Sequence, residues 1–102
     1  MKTRLSLQNE LEELLGARRV YFQPPESIKM SYPCFVYYLN DINTQFANNR
    51  AYINKRSYTI TYIDKNPDAD MPDRMLEHFP QCTLDRTYSA QGLHHFVFDL
   101  IY

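Results

Sequence analysis

Apolar and polar positions repeat with a helical period at the start of the chain. Residues 3–15 place four leucines on one stripe and point their glutamates elsewhere. Gly16 follows the last leucine and suits the left-handed residue that often ends a helix. Because the apolar stripe is narrow, the pattern predicts a helix that lies on one side of a sheet. The leucines of the stripe are Leu7, Leu11, Leu14 and Leu15.

Three segments with strand character follow the helix. Residues 19–23 form a short apolar run that ends at Pro24 and Pro25, which lack backbone donors, so they predict an edge strand or an exit into a loop. Residues 34–39 are apolar on both faces and predict an interior strand. Residues 54–64 alternate clearly, with tyrosine and isoleucine on one face, and give the strongest strand prediction in the chain.

The second half of the chain predicts a short helix and a hairpin. Asp70 is suited to cap a helix over residues 71–78, where apolar side chains recur at helical spacing. Residues 82–87 predict a fourth strand, residues 89–92 predict a turn, and residues 93–102 predict the closing strand.

The predicted order of elements is α-β-β-β-α-β-β. Such an order indicates an α+β fold, with a mostly antiparallel sheet of about four to five strands. The N-terminal helix and the second, short helix are expected to pack on this sheet. A chain of 102 residues suits one domain, so residues 1–102 are expected to form a single unit.

A polar, asparagine-rich stretch separates two of the predicted strands. Residues 41–52 (DINTQFANNRAY) contain few apolar positions, and the pattern predicts a long loop. Loops of this length are uncommon in compact domains and are often functional. We therefore expect this segment, with Arg50, Lys55 and Arg56 nearby, to have a functional role.

Composition narrows the range of functions. The net charge of −1 argues against a protein that is held to nucleic acid mainly by charge. Nine Tyr and six Phe suit a core, an interface or both. Cys34 and Cys82 each lie in an apolar stretch, so we interpret them as buried free thiols in a reducing compartment. The sequence shows neither a signal peptide nor a membrane-length apolar run, and a soluble cytoplasmic product is expected.

The sequence does not support a zinc site or a magnesium-dependent nuclease site. His78 and Cys82 are four residues apart, but Pro80 removes the helical geometry that a zinc site would use, and His94 and His95 point to opposite faces of a strand. The carboxylates that a magnesium-dependent nuclease could use are better explained as turn residues and strand ends, because the acidic-x-lysine strand of such nucleases is missing. These carboxylates are Asp41, Asp64, Asp85 and Asp99.

Nucleophilic catalysis has no support in the sequence either. Neither cysteine has an identifiable base partner, and no serine lies in a nucleophile-elbow motif. With only two glycines, Gly16 and Gly92, the chain lacks a loop that could cradle a phosphate. We expect a protein that is not an enzyme and that uses no cofactor and no metal.

Short phrases spread over the whole chain carry a family resemblance. They are the N-terminal leucine-rich helix running into LGARRVYFQPP at residues 15–25, KMSYPC at 29–34, Asp41-Ile42, FANN at 46–49, the strand at 56–63 continuing into DKNPD at 64–68, and HFVF at 95–98. In these phrases the chain resembles the small tail-completion, or tail-terminator, proteins of long-tailed bacteriophages and prophages of Gram-positive bacteria.

The resemblance implies a structural virion protein with an α+β fold. It would cap the finished tail tube, present a surface to the head-side connector protein and act as a ring, most often a hexamer. In such a ring, the segment at residues 41–52 would reach a neighbouring subunit or line the lumen. Its partners would be itself, the tail tube protein and the connector, with no membrane and no specific nucleic acid, although a ring lumen could pass DNA. It would be made in the bacterial cytoplasm and reside at the tail end, or neck, of the virion.

The residues also define candidate surfaces and two alternatives. A neighbouring head-tail connector or stopper protein shares the size and class, and a single-stranded nucleic-acid binder is a more distant alternative because the basic groove is missing. The candidates for a subunit or partner interface are Tyr21, Phe22, Pro24, Pro25, Thr44, Gln45, Phe46, Asn48, Asn49 and Arg50.

Overall fold

The computed structural model describes residues 3–25, 28–47 and 50–102, and it describes the side chains of these residues outside 43–55. Two helices and five strands occur in the order α-β-β-β-α-β-β, which confirms the predicted order and the α+β class. The elements are α1 (Arg4–Leu15), β1 (Val20–Phe22), β2 (Cys34–Ala47), β3 (Arg50–Asp64), α2 (Met71–His78), β4 (Cys82–Ala90) and β5 (Leu93–Ile101).

The five strands form one sheet in the spatial order β1-β2-β3-β5-β4. β1 is parallel to β2, and every other neighbouring pair is antiparallel. β1 therefore lies at one edge, as its prolines predicted, and β2 lies inside the sheet. The opposite edge is β4, which reaches its place through α2, so that β5 returns between β3 and β4.

Both helices pack on the same face of the sheet. α1 buries Leu7 and Leu11, and α2 buries Met71 and Met75. These side chains meet the alternate residues of the strands, as expected for a sheet with one covered face. The strand residues in this core are Val20, Phe35, Tyr37, Tyr58, Ile60, Tyr62, Cys82, Phe98 and Leu100.

The ends of α1 follow from its sequence. Thr3 and Ser6 form a reciprocal capping box, in which each side-chain oxygen accepts a hydrogen bond from the backbone N–H of the other residue. Gly16 has φ +74° and donates its N–H to the carbonyl of Glu12 at 2.9 Å, so it is the left-handed cap that the sequence predicted.

Two predictions about the second half of the chain are wrong in detail. Asp70 occupies the position before α2, but its side chain makes no capping hydrogen bond, because its backbone already has near-helical dihedral angles. The turn comprises only Gln91 and Gly92, both with positive φ, so β4 continues through residues 88–90. A two-residue hairpin of this kind needs left-handed backbone at both central positions, which places the turn later than the polar residues suggested.

The opposite face of the sheet has a smaller core. Cys34, Val36 and Ile63 are buried there, and Met30 and Tyr32 of the preceding segment pack against them. Cys34 therefore lies on the face opposite to Cys82. Both cysteines are buried and free, as the sequence predicted.

Candidate assembly surfaces

Two strands of the sheet extend well beyond the rest of the protein. β1 pairs with β2 only as far as Tyr37, and β5 pairs with β3 only from Ser57 onward. Residues 40–47 of β2 and 50–56 of β3 thus have only each other as strand partners, and we call this two-stranded ribbon the arm. Eight residues of extended strand span about 25 Å. The arm accounts for the elongated shape, which measures 52 × 28 × 23 Å.

The arm corrects the prediction of a long loop at residues 41–52. Backbone pairing continues from Asp41 opposite Ser57 to Ala47 opposite Arg50, so the segment is two strands. The polar residues misled the interpretation because a ribbon that extends beyond the other strands does not need the apolar face that a sheet needs over a core. Ile42, which is 46% exposed, shows that even an apolar residue of the arm lies open to solvent.

A β-bulge marks the base of the arm. Leu39 lies opposite Tyr58 and Asp41 lies opposite Ser57, so Asn40 is the extra residue on β2. The Asn40 side-chain amide donates a hydrogen bond to the hydroxyl of Thr59 on the neighbouring strand. Bulges bend a strand and increase its local twist, so Asn40 sets the direction in which the arm leaves the body.

The edge strand β1 contributes its aromatic residues to the body. Phe22 packs on Tyr37, with ring centroids 4.9 Å apart, and the guanidinium of Arg4 lies 4.6 Å from the centre of its ring. Tyr21 is half-buried and packs against the smaller core on the other face. Both side chains therefore have contacts inside the protein in addition to any exposed area.

The end of β1 lies beside the base of the arm. Gln23, with φ +43°, donates its N–H to the carbonyl of Tyr37 at 2.9 Å, and its side-chain oxygen accepts the N–H of Leu39 at 3.2 Å. The Gln23 side chain thus occupies the place where the next residue of β1 would pair. Pro24, half-buried, and Pro25, exposed, follow at once.

The first group of predicted interface residues, at the end of β1, therefore lies beside the base of the arm, whereas the second group lies further out along the arm. The strand positions of Thr44, Gln45, Phe46 and Arg50 lie in the arm, and Asn48 and Asn49 lie outside the described residues. Gln23 was missing from the candidate residues, because nothing in its sequence context signals a side chain that replaces a strand partner.

Tyrosine hydroxyls attach α1 to the sheet. The Tyr37 hydroxyl donates to Gln8 Oε1 at 2.5 Å and accepts from Arg4 Nη1 at 3.3 Å. The Tyr102 hydroxyl donates to the Glu10 carboxylate and also contacts Ser6 Oγ at 2.8 Å. Burial, together with the hydrogen bond to Glu10, raises the pKa of Tyr102 to about 12. These contacts place part of the tyrosine content in the core.

Other tyrosines lie on the open side of the sheet. Tyr38 and Tyr88 are 43% and 45% exposed. Tyr88 stacks on His95 with ring centroids 4.5 Å apart and an interplanar angle of 11°. The His95 Nδ1 atom is buried without a hydrogen-bond partner in the described part of the chain. A small cleft of about 180 Å³ lies beside this pair, between Pro67 and the β4–β5 hairpin.

The chemical groups considered from the sequence stay apart. Among residues 3–25, 28–47 and 50–102, no three His, Cys, Asp or Glu side chains come together in a way that could hold a metal ion. One contact was not foreseen: Ser89 Oγ lies 3.2 Å from His94 Nδ1 on the exposed hairpin. These residues are cross-strand partners, so only the register of the hairpin reveals their proximity.

Within the described ranges, none of the helices has the length and apolar character needed to cross a membrane. A comparison of this chain with family models, with curated proteins and with solved structures finds no match.

Proposed function

We propose that this chain is a structural virion protein that caps the tail tube of a long-tailed phage and helps to join the tail to the head. The observation that carries the proposal is the arm, a two-stranded ribbon that extends about 25 Å beyond a compact α+β body and whose strands, within the described residues, pair only with each other. The phrases that resemble tail-completion proteins run through both the body and the arm.

A body with one projecting arm suits repeated contacts between identical subunits. A contact that joins two different surfaces of the same protein is heterologous, and such contacts close into a ring when the rotation between subunits allows it. The exposed edges of the arm are unpaired backbone groups, which are common docking sites for another chain. In the proposed ring, the subunits surround the end of the tail tube and leave a lumen, and the rotation between neighbouring subunits decides whether the ring closes.

The proposal assigns three partners to the chain. They are further copies of itself in the ring, the tail tube protein on one side and the head-side connector protein on the other. The net charge of −1 fits a ring whose lumen lets DNA pass without binding it tightly. The exposed aromatic side chains of Tyr38 and Tyr88 provide contact area of the kind that protein interfaces favour.

Electron microscopy of particles made without this gene tests the proposal. Loss of a tail cap should leave full heads beside free tails of abnormal or uncontrolled length. Tails of normal length that fail to join heads would instead assign the chain to the connector or stopper position. Normal infectious particles would contradict both roles.

A variant with a shortened arm tests whether the arm is needed for this function. Replacing residues 43–55 by Asn-Gly leaves Ile42 and Arg56, which are opposite one another, flanking a two-residue turn. This variant should fold but fail to restore normal particles when it is supplied to the deletion strain. The wild-type gene on the same plasmid is the control, and full complementation by the shortened variant would remove the arm from the proposal.

A further inference from the structure

The formal charges of the chain are separated along its length. The arm, residues 40–56, contains three basic residues and one acidic residue, for a formal charge of +2. Residues 64–73, which follow β3, contain four acidic residues and one basic residue, for a formal charge of −3. The acidic residues of this second segment, which we call the acidic end, are Asp64, Asp68, Asp70 and Asp73.

These two segments lie at opposite ends of the molecule. β3 begins in the arm and runs through the body to Asp64 as one strand of 15 residues. A strand of that length spans about 50 Å, which is close to the longest dimension of 52 Å. The charge separation is therefore a separation in space, with a basic arm at one end and the acidic end at the other.

The carboxylates of the acidic end are largely free to meet a partner. Asp68, Asp70 and Asp73 are exposed, and no ion pair among the described residues involves them. Asp64 is engaged, because its carboxylate accepts hydrogen bonds from the Tyr62 hydroxyl at 2.6 Å and from the Asn66 N–H at 3.1 Å. Three negative charges at this end thus lack a positive partner within the described part of the chain.

The stability of the arm is a second argument for a partner. An isolated two-stranded ribbon is only marginally stable in water, and the arm continues for about eight residues past the strands that support the body. Its two outer edges carry unpaired backbone groups. Docking against a second surface would satisfy these groups and cover Ile42, which is 46% exposed.

We propose that the arm docks on a second copy of this chain, with the basic arm of one copy against the acidic end of the next. Charge complementarity favours this occupant, because two arms would bring like charges together, and a nucleic acid on the arm would leave the acidic end without a positive partner. The contact is head-to-tail and therefore heterologous. This inference deepens the proposed function and rests on it, since it states how the subunits of the ring would meet.

Sedimentation velocity of the purified chain at two ionic strengths tests the contact. At about 0.01 M ionic strength the Debye length is about 30 Å, and at about 1 M it is about 3 Å. The wild-type chain should associate at the low ionic strength and dissociate at the high one. A wild-type chain that stays monomeric at low ionic strength up to its solubility limit would overturn the proposal.

Paired charge reversals identify the two surfaces. Arg50→Glu with Lys55→Glu reverses the arm, and Asp68→Lys with Asp70→Lys reverses the acidic end. Each double variant alone should associate about tenfold or more weakly than wild type, because each meets like charge at the contact. An equimolar mixture of the two should associate again, since the acidic arm of one variant then meets the basic end of the other.

A matched control separates the contact from net charge. Glu13→Lys with Asp99→Lys changes the net charge by the same amount as the reversal of the acidic end, at exposed positions outside both segments. This variant should associate as the wild type does, and it should not rescue the arm-reversed variant in a mixture. Rescue by the control, or loss of association equal to that of the reversed variants, would overturn the proposal.

The remaining outcomes also decide the question. Binding of a DNA oligonucleotide that depends on Arg50 and Lys55, without self-association, would assign the arm to nucleic acid and reject the head-to-tail contact. Failure of self-association leaves the tail-capping role to be judged by the particles of the deletion strain, so the two proposals fail independently.

Discussion

At the scale of single residues, the tyrosines explain how this small protein joins its layers. The Tyr37 ring is fully buried in the core. Its hydroxyl lies at the edge of the core and forms hydrogen bonds with Gln8 and Arg4 of α1. An aromatic side chain with a polar tip can therefore fill the core and fasten a helix at the same time. The neighbouring Tyr38, on the other face, is 43% exposed and lacks this double role.

Removal of one hydroxyl should reveal this difference. Tyr37→Phe leaves Gln8 Oε1 without its donor at 2.5 Å and should lower the free energy of unfolding by about 1–2 kcal/mol. Tyr38→Phe is the matched control and should change it by less than about 0.5 kcal/mol. Urea unfolding followed by circular dichroism measures both values. Equal effects of the two substitutions would show that the Tyr37 hydroxyl does not stabilise the contact between α1 and the sheet.

At the scale of elements, the sequence predicted the strands that have one face against the helices. It missed the strand parts that extend beyond the body. The alternation of Tyr58, Ile60 and Tyr62 exists because one face of β3 meets the helices, so the pattern was legible. The arm extends beyond the neighbouring strands, and its polar residues looked like a loop. Its strands are defined by pairing between residues such as Asp41 and Ser57, which no local pattern reports.

The two parts of the candidate surface could be predicted from the sequence, but the contact between them could not. The prolines after β1 indicated the edge of the sheet, and the length of the polar segment indicated a protruding element. No local pattern signals that the Gln23 side chain joins these two features by accepting a hydrogen bond from the Leu39 N–H. That contact joins residues 16 positions apart and exists only after β1 has paired in parallel with β2.

The arm should behave as an element separate from the core. Replacement of residues 43–55 by Asn-Gly should shorten the longest dimension by about 15 Å, because it removes five residues of β2 and six of β3 from the outer end of the ribbon. Small-angle X-ray scattering measures this dimension. The free energy of unfolding should stay within about 1 kcal/mol of the wild-type value, since the removed strand positions pair only with each other among the described residues. A cooperative loss of structure would show that the body depends on the arm.

At the scale of the whole molecule, burial sets how stability responds to alkaline pH. Burial raises the pKa of both Cys34 and Cys82 from 9.0 to about 11, and Asp99 adds to the effect at Cys82. It also raises the pKa of Tyr102 from 10.0 to about 12. All three groups thus bind their protons more tightly in the folded state than in the unfolded state.

Stability should therefore fall as the pH rises through this range. Below pH 9 both states hold these protons, so the stabilising contribution is complete. Between about pH 9 and 12 the unfolded state loses protons that the folded state keeps, and the free energy of unfolding decreases. Urea midpoints measured from pH 8 to 11 should decline steadily. In Cys34→Ala with Cys82→Ala the decline between pH 9 and 10 should be shallower, and an unchanged slope would exclude the thiols as its cause.

The bulge at Asn40 makes the arm a lever. A ribbon about 25 Å long converts a bend of about 10° at its base into a movement of about 4 Å at its tip. The hydrogen bond between Asn40 and Thr59 holds that base, far from the part of the arm that would meet a partner. The direction of the arm therefore depends on the few atoms of the Asn40–Thr59 contact on the surface of the sheet. Small changes at this contact would change the direction of the arm and leave the core unchanged.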